Sequence, residues 1–216
     1  METTQVKSRQ RVADHGEVFT NEREVKAMLD LVQDQCERID ATFLEPACGD
    51  GNFLIEILRR KLQLLQKYKR QADAYNKHLV VAVSSIYGVE LLEDNAQDCR
   101  ERLYQEILKH YPKSLQSLPE YNELMLSLRF ILQKNIICGN ALDYTKADGS
   151  PIIFYEWKFI GNGPNVKIRC FDFEVVAEES KQTSLFDELM QPASLPQHDQ
   201  EFPPIHYLKL YTYAKS

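Results

Sequence analysis

Short apolar runs alternate with longer amphipathic stretches over most of the chain. The amphipathic stretches predict helices, because their apolar residues recur every three or four positions. These helices cover about residues 21–38, 52–76, 91–110 and 118–128. The short runs near residues 42–44, 85–90 and 135–138 are rich in β-branched and aromatic side chains, which favour strands. Alternation of strands and helices predicts an α/β fold with a doubly wound parallel sheet.

The region that follows has a different pattern. Residues 152–160 and 166–176 are both rich in aromatic and β-branched residues, and an Asn162-Gly163 step lies between them. An Asn-Gly step between two such runs is a strong hairpin signal. The sequence therefore predicts a β-hairpin after the alternating region.

Composition indicates one soluble domain followed by a tail. The chain has 216 residues, of which 44% are hydrophobic, and this is enough for one sizeable core. We expect a domain over residues 1–176 and an acidic, proline-containing segment over residues 177–216. No apolar run approaches the roughly 20 residues needed to span a bilayer, so we expect no membrane partner and a cytoplasmic location.

The cysteines and histidines do not indicate a metal site. Five cysteines and five histidines are scattered along the chain, and no Cys-x-x-Cys pair occurs. Free cysteines are usually buried, so we interpret these as core thiols and expect no metal.

The run from Phe43 to Leu54 reads as a strand, a glycine turn and a helix start. Gly49 and Gly51 permit backbone angles and close approach that a side chain would forbid. The spacing is Gly-x-Gly, without the third glycine of a dinucleotide fingerprint or the lysine of a phosphate loop. The run therefore predicts a nucleotide-cofactor loop that does not primarily bind pyrophosphate.

With Glu45-Pro46-Ala47-Cys48-Gly49, this run resembles motif I of S-adenosylmethionine-dependent DNA methyltransferases, and specifically the adenine-modifying M subunits of restriction-modification systems. Upstream, Gly16-Glu17-Val18-Phe19-Thr20 resembles the family's motif X, which covers the methionine end of the cofactor. The resemblance implies a Rossmann-like class I methyltransferase fold that binds S-adenosylmethionine.

Two further motifs follow in the family's order. Glu90 ends the strand of residues 85–90, at the position that in this family accepts hydrogen bonds from the ribose hydroxyls. The run of residues 135–142 resembles motif III, with Asn140 where the family usually has aspartate. The amide of Asn140 keeps an oxygen that accepts from the adenine amino group. The cofactor-binding residues implied by the resemblance are Phe19, Thr20, Glu45, Pro46, Ala47, Cys48, Gly49, Gly51, Asn52, Phe53, Glu90, Leu91, Asn140 and Ala141.

The catalytic motif departs from the family. Catalytic members have Asn or Asp, two prolines and an aromatic residue after a strand, and the aromatic residue stacks on the flipped adenine. Here Asn162 is the candidate acceptor for the amino proton, Gly163 replaces the first proline and Asn165 replaces the aromatic residue. The hairpin interpretation competes with this one, because in a hairpin Asn162 lies in a turn.

The formal net charge of −6 bears on DNA binding, because DNA is held by neutralising its phosphates with Lys and Arg. We interpret the run Arg59-Arg60-Lys61 as a solvated helix face rather than a DNA contact.

Too little chain follows the hairpin for the second half of a methyltransferase sheet and a recognition domain. Two hypotheses follow. The chain is a DNA adenine methyltransferase subunit that needs a partner to hold DNA and is inactive alone, or it is a catalytically silent relative that binds the cofactor as a sensor or assembly module.

The tail contains one further motif. Gln182-Thr183-Ser184-Leu185-Phe186 resembles the peptide by which bacterial replication proteins dock on the sliding clamp, through Gln182, Leu185 and Phe186. The alternative is a polar linker whose Leu-Phe pair packs on its own domain.

Overall fold

The computed structural model describes residues 10–11, 20–175 and 198–215. Its α-helices are α1 (Glu22–Asp30), α2 (Gln33–Cys36), α3 (Asn52–Leu64), α4 (Ala72–Ser84), α5 (Glu93–His110) and α6 (Tyr121–Asn135). Its strands are β1 (Phe43–Glu45), β2 (Ile86–Glu90), β3 (Ile136–Cys138), β4 (Ile153–Phe159), β5 (Asn165–Asp172) and β6 (His198–His206). Short 3-10 helices cover Leu65–Tyr68, Lys113–Leu115 and Tyr207–Lys215.

The first three strands form a parallel sheet in the order β1-β2-β3. Glu45 pairs with Gly88, and Glu90 pairs with Cys138, so the carboxyl ends of the strands meet at one edge. Open α/β sheets bind ligands outside this edge. The fold is mixed α/β with a three-stranded parallel sheet, which is compatible with a Rossmann-like fold.

The two faces of this sheet are covered differently. Gly88 faces α3, because a Cβ atom there would lie 2.9 Å from both Cys48 Sγ and Leu54 Cδ1. Its neighbour Tyr87 points to the opposite face, as alternate residues of a strand do, and lies at an edge-to-face angle against Phe154 of β4. Strand β4 therefore packs on the second face of the sheet, although α/β folds usually carry helices on both faces.

Strands β4 and β5 form the predicted hairpin. They pair antiparallel from Ile153↔Asp172 to Phe159↔Val166, and Gly161 has a φ of 54° in the turn between them. Part of the predicted tail joins this sheet, because β6 pairs antiparallel with β5. The segment that follows β6 is the 3-10 helix Tyr207–Lys215, and in it Leu210 is completely buried.

The long helix predicted over residues 52–76 is two helices. Helix α3 ends at Leu64, a 3-10 turn follows, and Gln71 adopts extended angles before α4 begins. Tyr68 of the turn stacks on His78 of α4, with ring centroids 4.1 Å apart. No glycine or proline marks this break, so the apolar period alone does not indicate it.

Lys61 corrects the interpretation of the basic run on α3. Its side chain is completely buried, and its ammonium donates to Ile39 O, Ala41 O and Ser85 Oγ at 2.6–2.8 Å. Arg59 and Arg60 are partly buried and form ion pairs with Glu106 and Asp30. The Lys61 ammonium thus links the segment that precedes β1 to the residue that precedes β2. The prediction that Lys61 lies on a solvated helix face is wrong.

Four of the cysteines are buried, as expected for core thiols, and Cys138 is partly exposed. Within the described residues, no cluster of three or more His, Cys, Asp or Glu side chains has the arrangement of a metal site. None of the helices in the described part of the chain is both long enough and apolar enough to cross a membrane.

Candidate functional site

The glycine loop lies at the carboxyl edge of the parallel sheet. Gly49 and Gly51 have φ values of 54° and 96°, angles that L side chains rarely adopt. A Cβ atom at Gly51 would also lie 2.6 Å from Cys99 Sγ. The backbone of Gly51 caps α3, because its carbonyl accepts from the N–H of Ile55 at 2.8 Å. This geometry accounts for the two glycines that the sequence singled out.

Glu90 connects the loop to the end of β2. One carboxylate oxygen accepts from the backbone N–H of Gly49 at 2.8 Å. The other accepts from the N–H of Leu92 at 3.1 Å and from Asn95 Nδ2 at 3.3 Å. Three N–H donors therefore hold the carboxylate of Glu90, which is 8% exposed at the rim of the site. A carboxylate has about four acceptor positions, which leaves one for a ligand hydroxyl.

Asn52 joins the loop to the preceding segment. Its Nδ2 donates to the carbonyl of Thr20 at 3.1 Å, so the structure brings Thr20 against the glycine loop. Phe19 lies outside the described residues. Arg102 of α5 donates to Asp50 O at 2.7 Å and to Asn52 Oδ1 at 2.9 Å. Two side chains distant in sequence thus hold the loop by hydrogen bonds, Glu90 at Gly49 and Arg102 at Asp50 and Asn52.

The turn after β3 places Asn140 at the same edge. Its Oδ1 accepts from the N–H of Leu142 at 2.9 Å, and its Nδ2 donates to Asp143 at the same distance. Both side-chain groups therefore support the turn. Thr145 donates to Asp143 through its hydroxyl and its N–H, and these bonds hold the pKa of that carboxyl below its usual range. Asp143 thus adds a carboxylate in direct contact with Asn140.

Exposed apolar side chains accompany these polar groups. Leu91 follows Glu90 and is 54% exposed, and Leu142 follows Ala141 and is 90% exposed. Large apolar side chains at the rim of a polar site are suited to contact a flat ring. Ala141 itself packs against the aromatic cluster on the second face of the sheet.

The remaining residues of motif I have different environments. Pro46 and Ala47 are exposed, whereas Phe53 is half-buried and packs on the main core. Burial raises the pKa of Glu45, whose carboxylate accepts from the N–H of Ala47. A hydrogen bond that the Cys48 thiol donates to Cys99, together with burial, raises the pKa of Cys48. Cys48 is therefore a packing residue under the loop and not a nucleophile.

Asn162 is not part of this cluster. Ile152 lies beside Gly139 at the carboxyl end of β3, and Trp157 donates to Asn135 at its amino end, so β4 runs antiparallel to β3. The β4–β5 turn lies beyond that amino end, where Asn162 O accepts from Lys77 at 3.3 Å. The structure therefore places Asn162 towards the amino ends of the strands, whereas Glu90 lies at their carboxyl ends, and the role of Asn162 as proton acceptor stays a prediction.

Sequence reasoning missed three residues of the site: Asn95, Arg102 and Asp143. Asn95 had a signal, since it is a polar residue on the buried side of the first turn of α5. Nothing in the local sequence indicates Arg102, because the residues that it contacts, Asp50 and Asn52, lie about 50 positions earlier in the chain. The predicted clamp-docking residues Gln182, Leu185 and Phe186 lie outside the described residues.

Comparison with known proteins gives the same assignment as the motifs. The family model of the MmeI DNA-methyltransferase domain matches residues 17–164. A putative type II restriction enzyme and methyltransferase of Methanocaldococcus jannaschii is 25% identical over 123 residues, which are 55% of this chain and 10% of that protein. DNA methyltransferase A of Bacillus subtilis is 30% identical over 104 residues, or 46% of this chain and 12% of that protein.

The matched segments thus span about a tenth of the length of these relatives. No solved structure gives a significant match. The family model covers well over half of the 216 residues and ends just before β5. The chain therefore belongs to the MmeI DNA-methyltransferase domain family.

Proposed function

We propose that this chain binds S-adenosylmethionine at the carboxyl edge of its parallel sheet and is part of an adenine-directed DNA methyltransferase of the restriction-modification type. The observation that carries the proposal is the bond between Glu90 and the N–H of Gly49, which brings the loop and the ribose ligand of the family into one site. We further propose that the described fold is the cofactor-binding part of a doubly wound, class I methyltransferase sheet.

The residues present fit this cofactor. Glu90 has one acceptor position left for a ribose hydroxyl, and exposed Leu91 and Leu142 offer apolar contact to the adenine ring. Asn140 and Asp143 supply polar groups beside that ring position. When bound, S-adenosylmethionine supplies the methyl group, and these side chains bind and orient it.

DNA binding is proposed to require a partner subunit. The net charge of −6 opposes the approach of a duplex, whose affinity depends on cationic contacts to phosphate. Docking on a sliding clamp through Leu185 and Phe186 rests on sequence alone. Replacing both residues by Ala should abolish clamp pull-down and leave cofactor binding unchanged, and retention of the clamp would refute that proposal.

Isothermal titration calorimetry with S-adenosylmethionine and S-adenosylhomocysteine tests the cofactor proposal. We expect both to bind, and we expect Glu90→Ala and Gly49→Val each to weaken binding by about tenfold or more, the equivalent of one lost charged hydrogen bond. Glu24→Gln, an exposed carboxylate on α1, is the control and should bind normally. Absence of binding at millimolar concentrations would refute the proposal.

A second candidate function is supported by the position of Asn162. If the amino-proton acceptor of the family lies away from the cofactor edge, the chain binds the cofactor without transferring its methyl group. It would then act as a cofactor sensor or assembly module. Methyl-transfer assays with and without candidate partner subunits separate the two functions.

A further inference from the structure

A cleft separate from the glycine loop runs along the free edge of β3. Strand β3 pairs only with β2 within the described sheet, so its other edge is unpaired. A cavity of about 530 Å³ opens there between α5 and α6 on one side and the β4–β5 hairpin on the other. This volume is within the usual range of about 300–1,000 Å³ for small-molecule sites. The residues of the cofactor site do not line it.

The lining is basic, although the chain as a whole is acidic. Arg100, Lys134 and Lys146 line the cleft, against the single carboxylate of Glu93. Glu93 is already paired with Arg100 at 3.0 Å, and Arg100 also donates to Ile136 O at 2.9 Å. No lining carboxylate is therefore left for Lys134 or Lys146, and the nearby Asp148, which interacts with Lys146, lies outside the lining.

Lys134 is held in place by aromatic rings rather than by an acid. Its ammonium lies 5.5 Å from the centroid of Phe130 and 5.1 Å from that of Tyr155. Rings in these positions attract a cation and orient it without neutralising its charge. Within the described residues, the Lys134 ammonium has no carboxylate or hydrogen-bond partner, so an anion that enters the cleft meets an uncompensated charge.

The backbone of the second lysine is held by hydrogen bonds of its own turn. The N–H of Lys146 donates to Ser150 O at 2.8 Å, and its carbonyl accepts from the N–H of Gly149, whose φ is 80°. Asp148 of this turn accepts from the hydroxyl and the N–H of Ser150. Lys146 lines the cleft together with the ring of Tyr155 and the apolar side chains of Ile137 and Ile153.

We propose that this cleft is a second ligand site, distinct from the cofactor site, that binds a nucleoside monophosphate. Lys134 and Lys146 would contact the phosphate, and the apolar and aromatic walls would contact the base. The two lysines favour an anionic ligand, and the mixed lining favours a ligand that combines an anion with a flat ring. The inference rests on the cleft and does not depend on the proposed cofactor binding.

Calorimetry on the full chain with deoxycytidine monophosphate tests the proposal, because this pyrimidine nucleotide does not offer the adenine ring of the cofactor. We expect binding, and we expect deoxycytidine and inorganic phosphate each to bind at least about tenfold more weakly. Saturating S-adenosylhomocysteine should leave nucleotide binding unchanged. Displacement by S-adenosylhomocysteine would overturn the second site, and equal affinity for inorganic phosphate would overturn the role of the ring.

Variants locate the site. Lys134→Met and Lys146→Met should each weaken nucleotide binding about tenfold, as expected for a lost charged contact, while Lys134→Arg should retain it. Lys109→Met is the control, because Lys109 is 68% exposed on α5 and is not a lining residue. Thermal melting of each variant verifies folding. Undiminished binding by both methionine variants, or no binding by the unmodified chain at millimolar nucleotide, would overturn the proposal.

Discussion

The carboxylate of Glu90 accepts the backbone N–H of Gly49 at 2.8 Å, across 41 positions of sequence. The bond joins the end of β2 to the glycine loop after β1, and it fixes the orientation of the loop before any ligand binds. A preorganised loop loses less conformational entropy on binding, which favours affinity.

Replacing Glu90 by Gln should destabilise the protein as well as the site. All three donors around the carboxylate are N–H groups, and the amide nitrogen of Gln would present a donor to at least one of them. We expect the free energy of unfolding in urea to fall by about 1–3 kcal/mol. Glu24→Gln on the exposed surface should change it by less than about 0.5 kcal/mol. Equal effects of the two substitutions would contradict this account.

Arg102 should support cofactor affinity more than stability. It holds Asp50 and Asn52 from α5, but its side chain is 41% exposed, so its loss costs little folding free energy. We expect Arg102→Met to weaken S-adenosylhomocysteine binding several-fold, by about 1 kcal/mol, with an unchanged melting temperature. Arg129→Met is the matched control, because Arg129 is an exposed, ion-paired arginine away from the loop. A normal affinity in the Arg102 variant would show that the loop holds its shape unaided.

Gly51 should tolerate alanine less well than Gly149. Both have positive φ values, 96° and 80°, so both substitutions incur backbone strain of about 1–2 kcal/mol. Only at Gly51 does the added Cβ meet another atom, Cys99 Sγ at 2.6 Å, whereas nothing lies within 4 Å at Gly149. We expect Gly51→Ala to lower the melting temperature more than Gly149→Ala.

A double substitution provides the check on this steric argument. Cys99→Ala should remove part of the clash and restore some of the stability that Gly51→Ala loses, which a double-mutant cycle measures as a coupling energy. Purely additive effects would show that the backbone angle alone determines the cost.

Lys61 should make stability depend on pH. Burial lowers the pKa of Lys61 to about 7, although its carbonyl and hydroxyl acceptors partly offset the cost of desolvating the charge. The ordinary value in an unfolded chain is about 10.4. Between these values the unfolded state binds more protons, so the free energy of unfolding should rise with pH. The contribution of Lys61 is least favourable below about pH 7.

Urea unfolding of the unmodified chain and of Lys61→Met between pH 7 and 9 measures this contribution. We expect the difference in free energy of unfolding between the two proteins to grow with pH, by at most about 1.4 kcal/mol per unit. A pH-independent difference would show that the acceptors around Lys61 keep its ammonium charged throughout this range.

The isolated chain should transfer no measurable methyl group to DNA. Its net charge of −6 opposes the binding of a duplex, and Asn162, the candidate acceptor for the amino proton, lies in the β4–β5 turn and not beside Glu90. Radiolabelled transfer to mixed DNA fragments by the purified chain would refute this prediction. If a partner subunit restores activity, Asn162→Ala should leave it intact, because Asn162 lies in the β4–β5 turn beside Lys77.

Local sequence was sufficient to predict the strand, glycine turn and helix around Gly49 and Gly51, because backbone angles and amphipathic periods are properties of a few neighbouring residues. It also predicted the hairpin from the Asn162-Gly163 step between two β-rich runs. The alternation of strands with helices predicted a parallel sheet, and β1, β2 and β3 form one. These features depend on short-range chemistry and were confirmed.

The tertiary structure alone decided which distant groups meet. The burial of Lys61, the attachment of the loop by Arg102 and the packing of β4 against Tyr87 all depend on contacts between residues far apart in the sequence. The sequence predicts a solvated Lys61 because the carbonyls that surround it come from distant segments, and it leaves Asn162 both as a hairpin residue and as a candidate acceptor because the direction of β4 depends on tertiary packing. The sequence determined the helices and strands and the motif at the carboxyl edge of the sheet. Long-range packing decided that Asn162 lies beyond the amino end of β3, away from that edge.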